Sequence, residues 1–292
     1  MVFIILAALL WSLDGILRRG LYSLPPTIVV FWEHALGAII LLPFVFKSLK
    51  EIKKLNLKEW ISILAVSLFS GALGTIFYTA ALGKVNFIQF SVVVLLQQLQ
   101  PIWAIITAAI VLKEKITRKF IPWAFLAVAS SYLVTFKDLR LNWQTGQGTI
   151  VAAVLALSAG MMWAASTSFS KIVLKKISFQ VATFLRFVLA PVFALIFVFF
   201  LKQSGQIMKV SPSQWTSLLI IVFSTGLVAL LFYYLGLRKT EAKVSAILEL
   251  TWPVSAIFID FLYFKNSLSP TQLIGAFLVM FSMYKVAKLK HG

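Results

Sequence analysis

The chain has 292 residues, 61% of them hydrophobic and only 12% charged, about half the charged share of an ordinary soluble domain, which excludes a soluble globular protein. Its net charge of +18 does not imply a nucleic-acid partner, because the basic residues sit in short loops rather than on one face of a compact domain. With no cysteine, disulfides and thiolate metal sites are excluded.

Ten apolar runs follow one another: 2–19, 27–46, 60–82, 88–111, 120–136, 149–170, 179–201, 215–235, 244–264 and 271–287. Each is about the length a helix needs to cross a bilayer, and together they leave no room for a separate soluble domain. Runs such as 102–112 do not alternate in polarity, so a membrane β-barrel is excluded. The first run lacks a basic flank and is followed by nine more, so it reads as a spanning helix and not as a signal peptide. The expectation is an all-α polytopic membrane protein with ten transmembrane helices.

The two halves repeat. A shift of 152 places Trp11 on Trp163, Pro101 on Pro253, Lys113 on Lys265, and Ala124, Phe125 and Leu126 on Ala276, Phe277 and Leu278. The repeats are expected over 1–136 and 149–288, with five helices each. An odd number makes the second copy cross in the opposite sense, so the repeats are inverted, and a pathway is expected at the seam between them. With the N-terminus inside, the loops near 47–58, 113–119, 171–176 and 238–243 and the tail hold 18 Lys and Arg. The other loops hold 8, Arg18 among them, and Arg186 completes the 27. The excess places both termini in the cytoplasm. Basic loops on that side meet anionic headgroups, so the lipid bilayer accounts for the charge. The expected setting is a bacterial inner membrane, and the expected form a monomer or weak dimer.

In the first copy Tyr78 and Lys84 bound an aromatic and small-residue stretch, followed by Gln100-Pro101 and a link from Lys113 through Glu114 to Thr117. In the second, Tyr234 and Arg238 bound the stretch, followed by Trp252-Pro253, a link from Lys265 through Asn266 to Ser269, and Gly275 in the last helix. This pattern resembles the EamA branch of the drug/metabolite transporter superfamily over essentially the whole chain. It departs from that family at Gln100 and Trp252, where a glutamate is common, and at Asn266, where the link glutamate is lost. The arginine common early in the second helix of a repeat is Arg186, with His34 at the partner position. The resemblance implies helices 3, 4, 8 and 9 flanking a central cavity and helices 1, 2, 6 and 7 moving about it. It also implies export of amino acids and other metabolites, or import or exchange of solutes such as riboflavin, S-adenosylmethionine or nucleotide sugars.

Six ionisable residues fall within the runs: Asp14, Glu33, His34, Arg186, Glu249 and Asp260. Each is costly against lipid and must face the bundle, a cavity or the headgroups. Asp14 and Asp260 lie near the outer ends of their runs, and Asp14 shares a face with Trp11. Glu249 precedes Pro253 by four, as Gln97 precedes Pro101. Each proline frees the carbonyl four residues before it, so Gln97 and Glu249 are candidate ligand contacts. Glu249, the deeper carboxylate beside a helix break, is the candidate for a proton-linked step. Glu33, His34 and Arg186 are candidates for a coupling or charge pair, with Glu33 and Arg186 the best-matched opposite charges. Arg186 has the alternative of snorkelling.

Trp11, Tyr78, Trp163, Tyr234 and Trp252 are placed to wall a cavity with Asp14, Gln97, Pro101, Glu249 and Pro253. An aromatic wall with isolated polar groups suits amphipathic amines, aromatic amino acids or flat heterocycles and does not suit polyphosphates, which need several convergent cations. No catalytic motif, metal-ligand pattern or cofactor fingerprint is present. The expected function is a secondary transporter, an exporter of amino acids or related amines working by alternating access, with protons as coupling ion. The alternatives are a vitamin or nucleoside-like metabolite transporter or exchanger, and a membrane enzyme or channel.

Overall fold

The structure, a computed structural model, describes residues 1–84, 99–135, 137–139, 149–265 and 267–289, apart from the side chains of Lys137, Thr149, Asp260, Tyr263 and Phe264. Gln97 and the Asp260 side chain, both named above, lie outside the described residues. Every regular element among the described residues is helical. In chain order these are α1 (Val2–Trp11), α2 (Asp14–Leu17), α3 (Pro26–Val45), α4 (Leu57–Val66), α5 (Thr75–Lys84), α6 (Gln100–Val111), α7 (Ile121–Thr135), α8 (Thr149–Leu174), α9 (Phe179–Phe200), α10 (Pro212–Ile221), α11 (Leu227–Arg238), α12 (Ala242–Leu248), α13 (Thr251–Phe264) and α14 (Pro270–Lys288). The π-helical segments Ser67–Gly74 and Val222–Gly226 join α4 to α5 and α10 to α11.

Local sequence explains the helix ends. Pro26, Pro212 and Pro270 stand in the first turns of α3, α10 and α14, where a missing N–H costs nothing. Capping boxes close the starts of α4 (Asn56 with Glu59), α10 (Ser211 with Gln214) and α14 (Ser269 with Gln272), each satisfying N–H groups a helix start leaves open. Lys113, Lys202 and Lys265 follow helix ends in the left-handed region, with φ of 56°, 56° and 59°.

Six helical stretches are long and apolar enough to cross a membrane: Pro26–Lys54, Leu57–Lys84, Ile150–Leu174, Phe179–Phe200, Pro212–Arg238 and Ala242–Ile259. Gln100–Val111 and Ile121–Thr135 are shorter apolar helices. The outer surface carries Phe44, Ile110, Phe125, Phe199 and Phe200 exposed, while charge is drawn inward, the arrangement a lipid solvent selects.

Five pairings dominate the packing: α3 with α9, α7 with α14, α1 with α11, α8 with α5, and α8 with α6. Without a hydrophobic drive between helices in lipid, close approach depends on small residues. A Cβ on Gly37 would lie 2.2 Å from Phe187, on Gly236 2.7 Å from Ile4, and on Gly275 2.7 Å from Leu133. Polar ties close the two ends of the bundle. At one end the Glu114 carboxylate accepts the Ala242 and Lys243 N–H groups at 2.8 and 3.0 Å, capping α12. There too Lys171 donates to the carbonyls of Leu237 and Thr240, and Glu51 accepts the Ser178 N–H at 2.6 Å. At the other end Thr27 meets Gln203 at 2.5 Å and Trp32 donates to the Ile207 carbonyl at 2.9 Å. Apart from the Lys171 bonds, these ties link the first half of the chain to the second.

Candidate functional site

The helices enclose one large cavity with about 190 Å³ open to the centre of a water molecule, within about 1240 Å³ of void that includes its opening. A single water needs only roughly 10–15 Å³ by the first measure, so the space admits an organic molecule. Its wall includes Trp11, Asp14, Tyr78, Pro101, Trp163, Tyr234, Glu249, Trp252 and Pro253, and also Glu33, His34 and Arg186. Of the residues expected to form a site, the structure therefore brings together all but Gln97, which is not described.

Four helices are interrupted at the cavity. The break between α1 and α2 puts Trp11 and Asp14 on the wall. The π-helical segments contribute Ser70, Thr225 and Gly226. The break at Glu249–Leu250 separates α12 from α13. Irregular backbone at membrane depth is tolerated where it is buried in protein or lines a polar space. The Glu249 carbonyl, expected to be left free by Pro253, accepts the Trp252 N–H at 2.9 Å. The tight turn at the break recovers that hydrogen bond, so this carbonyl is not the open ligand contact the proline predicted.

Three polar clusters stand on the wall. The first centres on Arg18, only 3% exposed. Its Nε donates to Asp14 Oδ2 at 2.5 Å, its Nη2 to Glu33 Oε2 at 2.9 Å, and its Nη1 to Thr79 at 3.4 Å. Thr225 donates to the other Asp14 oxygen at 2.5 Å. Two expectations change here. Glu33 pairs with Arg18 and not with Arg186, because Arg18, four residues after Asp14, reaches between the two carboxylates. Arg18, counted with the loop charges, is buried, and Asp14, expected on the cavity wall, is held there as a member of this ion cluster.

The second cluster holds Glu249. Tyr233 and Ser245 donate to its Oε1 at 2.8 and 3.1 Å, and Gln100 donates to its Oε2 at 3.1 Å. Thr167 joins Tyr233 at 3.0 Å. The third cluster holds Arg186, whose Nη1 lies 3.5 Å from the Tyr234 hydroxyl, itself 2.9 Å from Ser170. Tyr233 and Tyr234 are neighbours in α11, about 100° apart on a helix, and so serve different clusters. Between the poles the wall is aromatic. Trp11 packs on Tyr233 and Tyr78 on Trp163, with ring centroids 5.1 and 5.2 Å apart. His34 packs on Phe187 at 4.8 Å and its Nδ1–H donates to the Val30 carbonyl at 3.0 Å. Trp252 donates to the Trp11 carbonyl at 3.2 Å, tying α13 to α1. Among the described residues no group of three His, Cys, Asp or Glu is placed to hold a metal ion.

Arg18, Gln100, Tyr233, Thr225, Ser166, Thr167 and Ser170 were not among the candidates from sequence. The spacing of Asp14 and Arg18, one helical turn, was the available signal for the first. Ser166 and Ser170 stand 152 residues after Asp14 and Arg18.

Removing Arg18 strands two buried carboxylates. Arg18→Gln should lower the thermal unfolding midpoint of the purified protein in detergent, by a destabilisation of about 3–5 kcal/mol, the usual scale for losing one partner of a buried ion pair. Adding Glu33→Gln should recover part of it. An Arg18→Gln protein as stable as wild type would show that the cluster carries no such weight.

The chain matches the EamA-like transporter family over residues 1–136 and 150–287. It is 38% identical over 290 residues to the riboflavin transporter ImpX of Fusobacterium nucleatum, covering 99% of this chain and 97% of that one. It is 24% identical over 261 residues to an uncharacterized transporter of Synechocystis sp., covering 84% and 70%. A solved crystal structure with 14% identity superposes with a TM-score of 0.73 over 98% of this chain and 96% of its own, and so shares the fold. With its family matched over residues 1–136 and 150–287 and a cavity inside an apolar helical bundle, the protein is a membrane transporter that belongs to the EamA-like transporter family.

Proposed function

We propose that the protein carries a neutral, flat, hydroxyl-bearing heterocycle of the riboflavin type across a bacterial cytoplasmic membrane by alternating access. The observation that carries the substrate is the 38% identity, over nearly the full length of both chains, to a relative named a riboflavin transporter. The cavity's chemistry agrees. Trp11, Tyr233, Tyr78 and Trp163 offer faces to a planar ring, and Glu249, Gln100, Ser166 and Thr167 offer partners to hydroxyl groups. Amino acids and amines, the first expectation, form the second reading. The feature that favours it is the presence of one carboxylate and one guanidinium, Glu249 and Arg186, on the same wall.

The working architecture is ten crossings in two inverted five-helix repeats, 1–136 and 149–288. Support comes from the cavity wall, where Trp11 and Trp163, His34 and Arg186, and Pro101 and Pro253 all stand 152 apart. The π-helical segments end at Gly74 and Gly226, again 152 apart. An inverted repeat pairs the second helix of each copy with its counterpart, and likewise the fifth, as α3 packs on α9 and α7 on α14. It also makes the contact of α1 with α11 equivalent to that of α8 with α5. Both termini lie in the cytoplasm. With Arg18 removed from the outer tally, the loop charges stand at 18 against 7, that is, 8 less one. Glu249 is the group through which protons couple to transport, held on its break by neutral donors alone.

Proteoliposomes loaded with riboflavin should exchange it for labelled riboflavin, and Tyr233→Phe and Trp163→Ala should each weaken this about tenfold or more, the scale of one good polar or aromatic contact. Exchange of amino acids with none of riboflavin would favour the second reading and overturn the first. Exchange by wild type should vary with pH, and the dependence should flatten in Glu249→Gln while the protein stays folded. A full pH profile in that variant removes Glu249 from coupling. In intact cells an impermeant thiol reagent should label Gly205→Cys and spare Lys53→Cys, both at exposed positions. The reverse pattern would invert the orientation.

A further inference from the structure

Among the described residues the cavity wall carries two arginines in opposite circumstances. Arg18 is consumed by two carboxylates and a threonine. Among the described residues Arg186 has no carboxylate partner. It sits seven residues into α9, about 10 Å along the axis from its start. Its stem lies against Gly71, whose Cβ position is 3.7 Å from Arg186 Cγ, and its head lines the cavity. The head reaches Tyr234, another residue of the cavity wall. Its Nη1 makes one contact with Tyr234 at the 3.5 Å limit, and its Nε is buried without an acceptor.

Among the described residues each carboxylate of the wall has partners other than Arg186. Asp14 is held by Arg18 and Thr225, Glu33 by Arg18, and Glu249 by Tyr233, Ser245 and Gln100. A buried donor without an acceptor is costly, so the vacant edge of Arg186 asks for an acceptor from the cavity. Nε–H and a neighbouring Nη–H point the same way and match two adjacent acceptor atoms. The wall has two arginines against three carboxylates, so no surplus of positive charge calls for an anion. A neutral pair of acceptors meets the geometry without adding to the negative side.

We infer that Arg186 anchors the substrate by its heterocycle, donating from Nε and Nη to a ring nitrogen and the carbonyl oxygen beside it. Tyr234, held by Ser170 at 2.9 Å, stands alongside. The tail hydroxyls fall at the other pole, toward Glu249 and Gln100. Tyr233 and Tyr234, with ring centroids 6.1 Å apart, separate the two poles. The inference rests on the proposed flavin-like substrate and adds the side chain that orients it.

The test crosses a protein change with a ligand change. The full-length protein in detergent is titrated with riboflavin, followed by flavin fluorescence, and with its 1-deaza and 5-deaza analogues, in which one or other of the two acceptor ring nitrogens flanking a carbonyl becomes C–H. Wild type should bind one analogue about tenfold more weakly than riboflavin, the scale of a hydrogen bond to a charged donor. Arg186→Gln should bind riboflavin about tenfold more weakly and lose that discrimination. Arg186→Lys keeps the charge without the fork and should fall between. A folded Arg186→Gln with unchanged affinity and discrimination overturns the anchor, as does a wild type that binds both analogues as tightly as riboflavin. Should Arg186→Gln not fold, Arg186→Lys and the wild-type analogue series decide by the same criteria. A wild type that binds no flavin overturns the proposed substrate and the anchor together, a result distinct from flavin binding that ignores Arg186.

Discussion

An ionisable side chain inside a lipid-embedded bundle has no bulk water to fall back on and must find its partners in the protein. The Asp14–Arg18–Glu33 cluster is where this constraint acts hardest. It joins α2, the helical turn after it that carries Arg18, α3 and, through Thr79 and Thr225, α5 and the π-helical segment before α11. Segments more than 200 residues apart in the chain are thereby fixed around one guanidinium. Gly226 follows from the same crowding. A Cβ there would lie 3.3 Å from Glu33 Oε1 and 3.1 Å from the Ile221 carbonyl oxygen, so the tight approach of this segment to the cluster favours a glycine. A cluster so enclosed is a structural tie, and it takes two of the wall's carboxylates out of the chemistry offered to a solute.

The interruptions of the helices obey the same logic. Each gives up regular backbone hydrogen bonds, which lipid could not replace, and each lies where polar side chains or turns recover them. Trp252 N–H takes the Glu249 carbonyl. Thr75 bonds back to the Ser70 carbonyl at 2.9 Å across the first π-helical segment. The breaks bring polar groups to the cavity without leaving free backbone in the hydrocarbon. They also sit between rigid, apolar helices, and a π-bulge inside a helix is a common functional device.

The helical segments were legible because apolarity over about twenty residues is a one-dimensional signal. The run read as 27–46 is Pro26–Val45, and the run read as 179–201 is Phe179–Phe200. Much of the cavity was legible too, because charges and prolines inside apolar runs have few other places to go. What failed was pairing. Glu33 was matched with Arg186 by opposite charge, but the actual partner lay at the end of the first run and was tallied with the loops, and nothing in linear order says that Arg18 turns back onto α3. Gln100 was noted only as a departure from the family pattern, yet it reaches Glu249 across helices. Tyr234 was chosen over Tyr233 by motif, whereas rotation by one residue gives Tyr233 to Glu249. Contacts between helices depend on crossing geometry, which local patterns do not encode.

The differences between the two halves carry as much meaning as their likeness. Under the proposed repeat, Asp14 and Arg18 correspond to Ser166 and Ser170, and His34 to Arg186. In the first half the helix-1 positions are charged and consume each other together with Glu33. In the second they are hydroxyls, and Ser170 orders Tyr234 without neutralising Arg186. A symmetric pair of halves would build a site with equivalent ends, unable to distinguish one edge of a flat solute from the other. Replacing an ion pair by two serines releases one cation toward the cavity at a single pole, while Glu249, corresponding to Gln97, supplies an acceptor at the other. In the proposed alternating access, symmetry provides the two motions, and its loss at these few positions gives the bound molecule a direction.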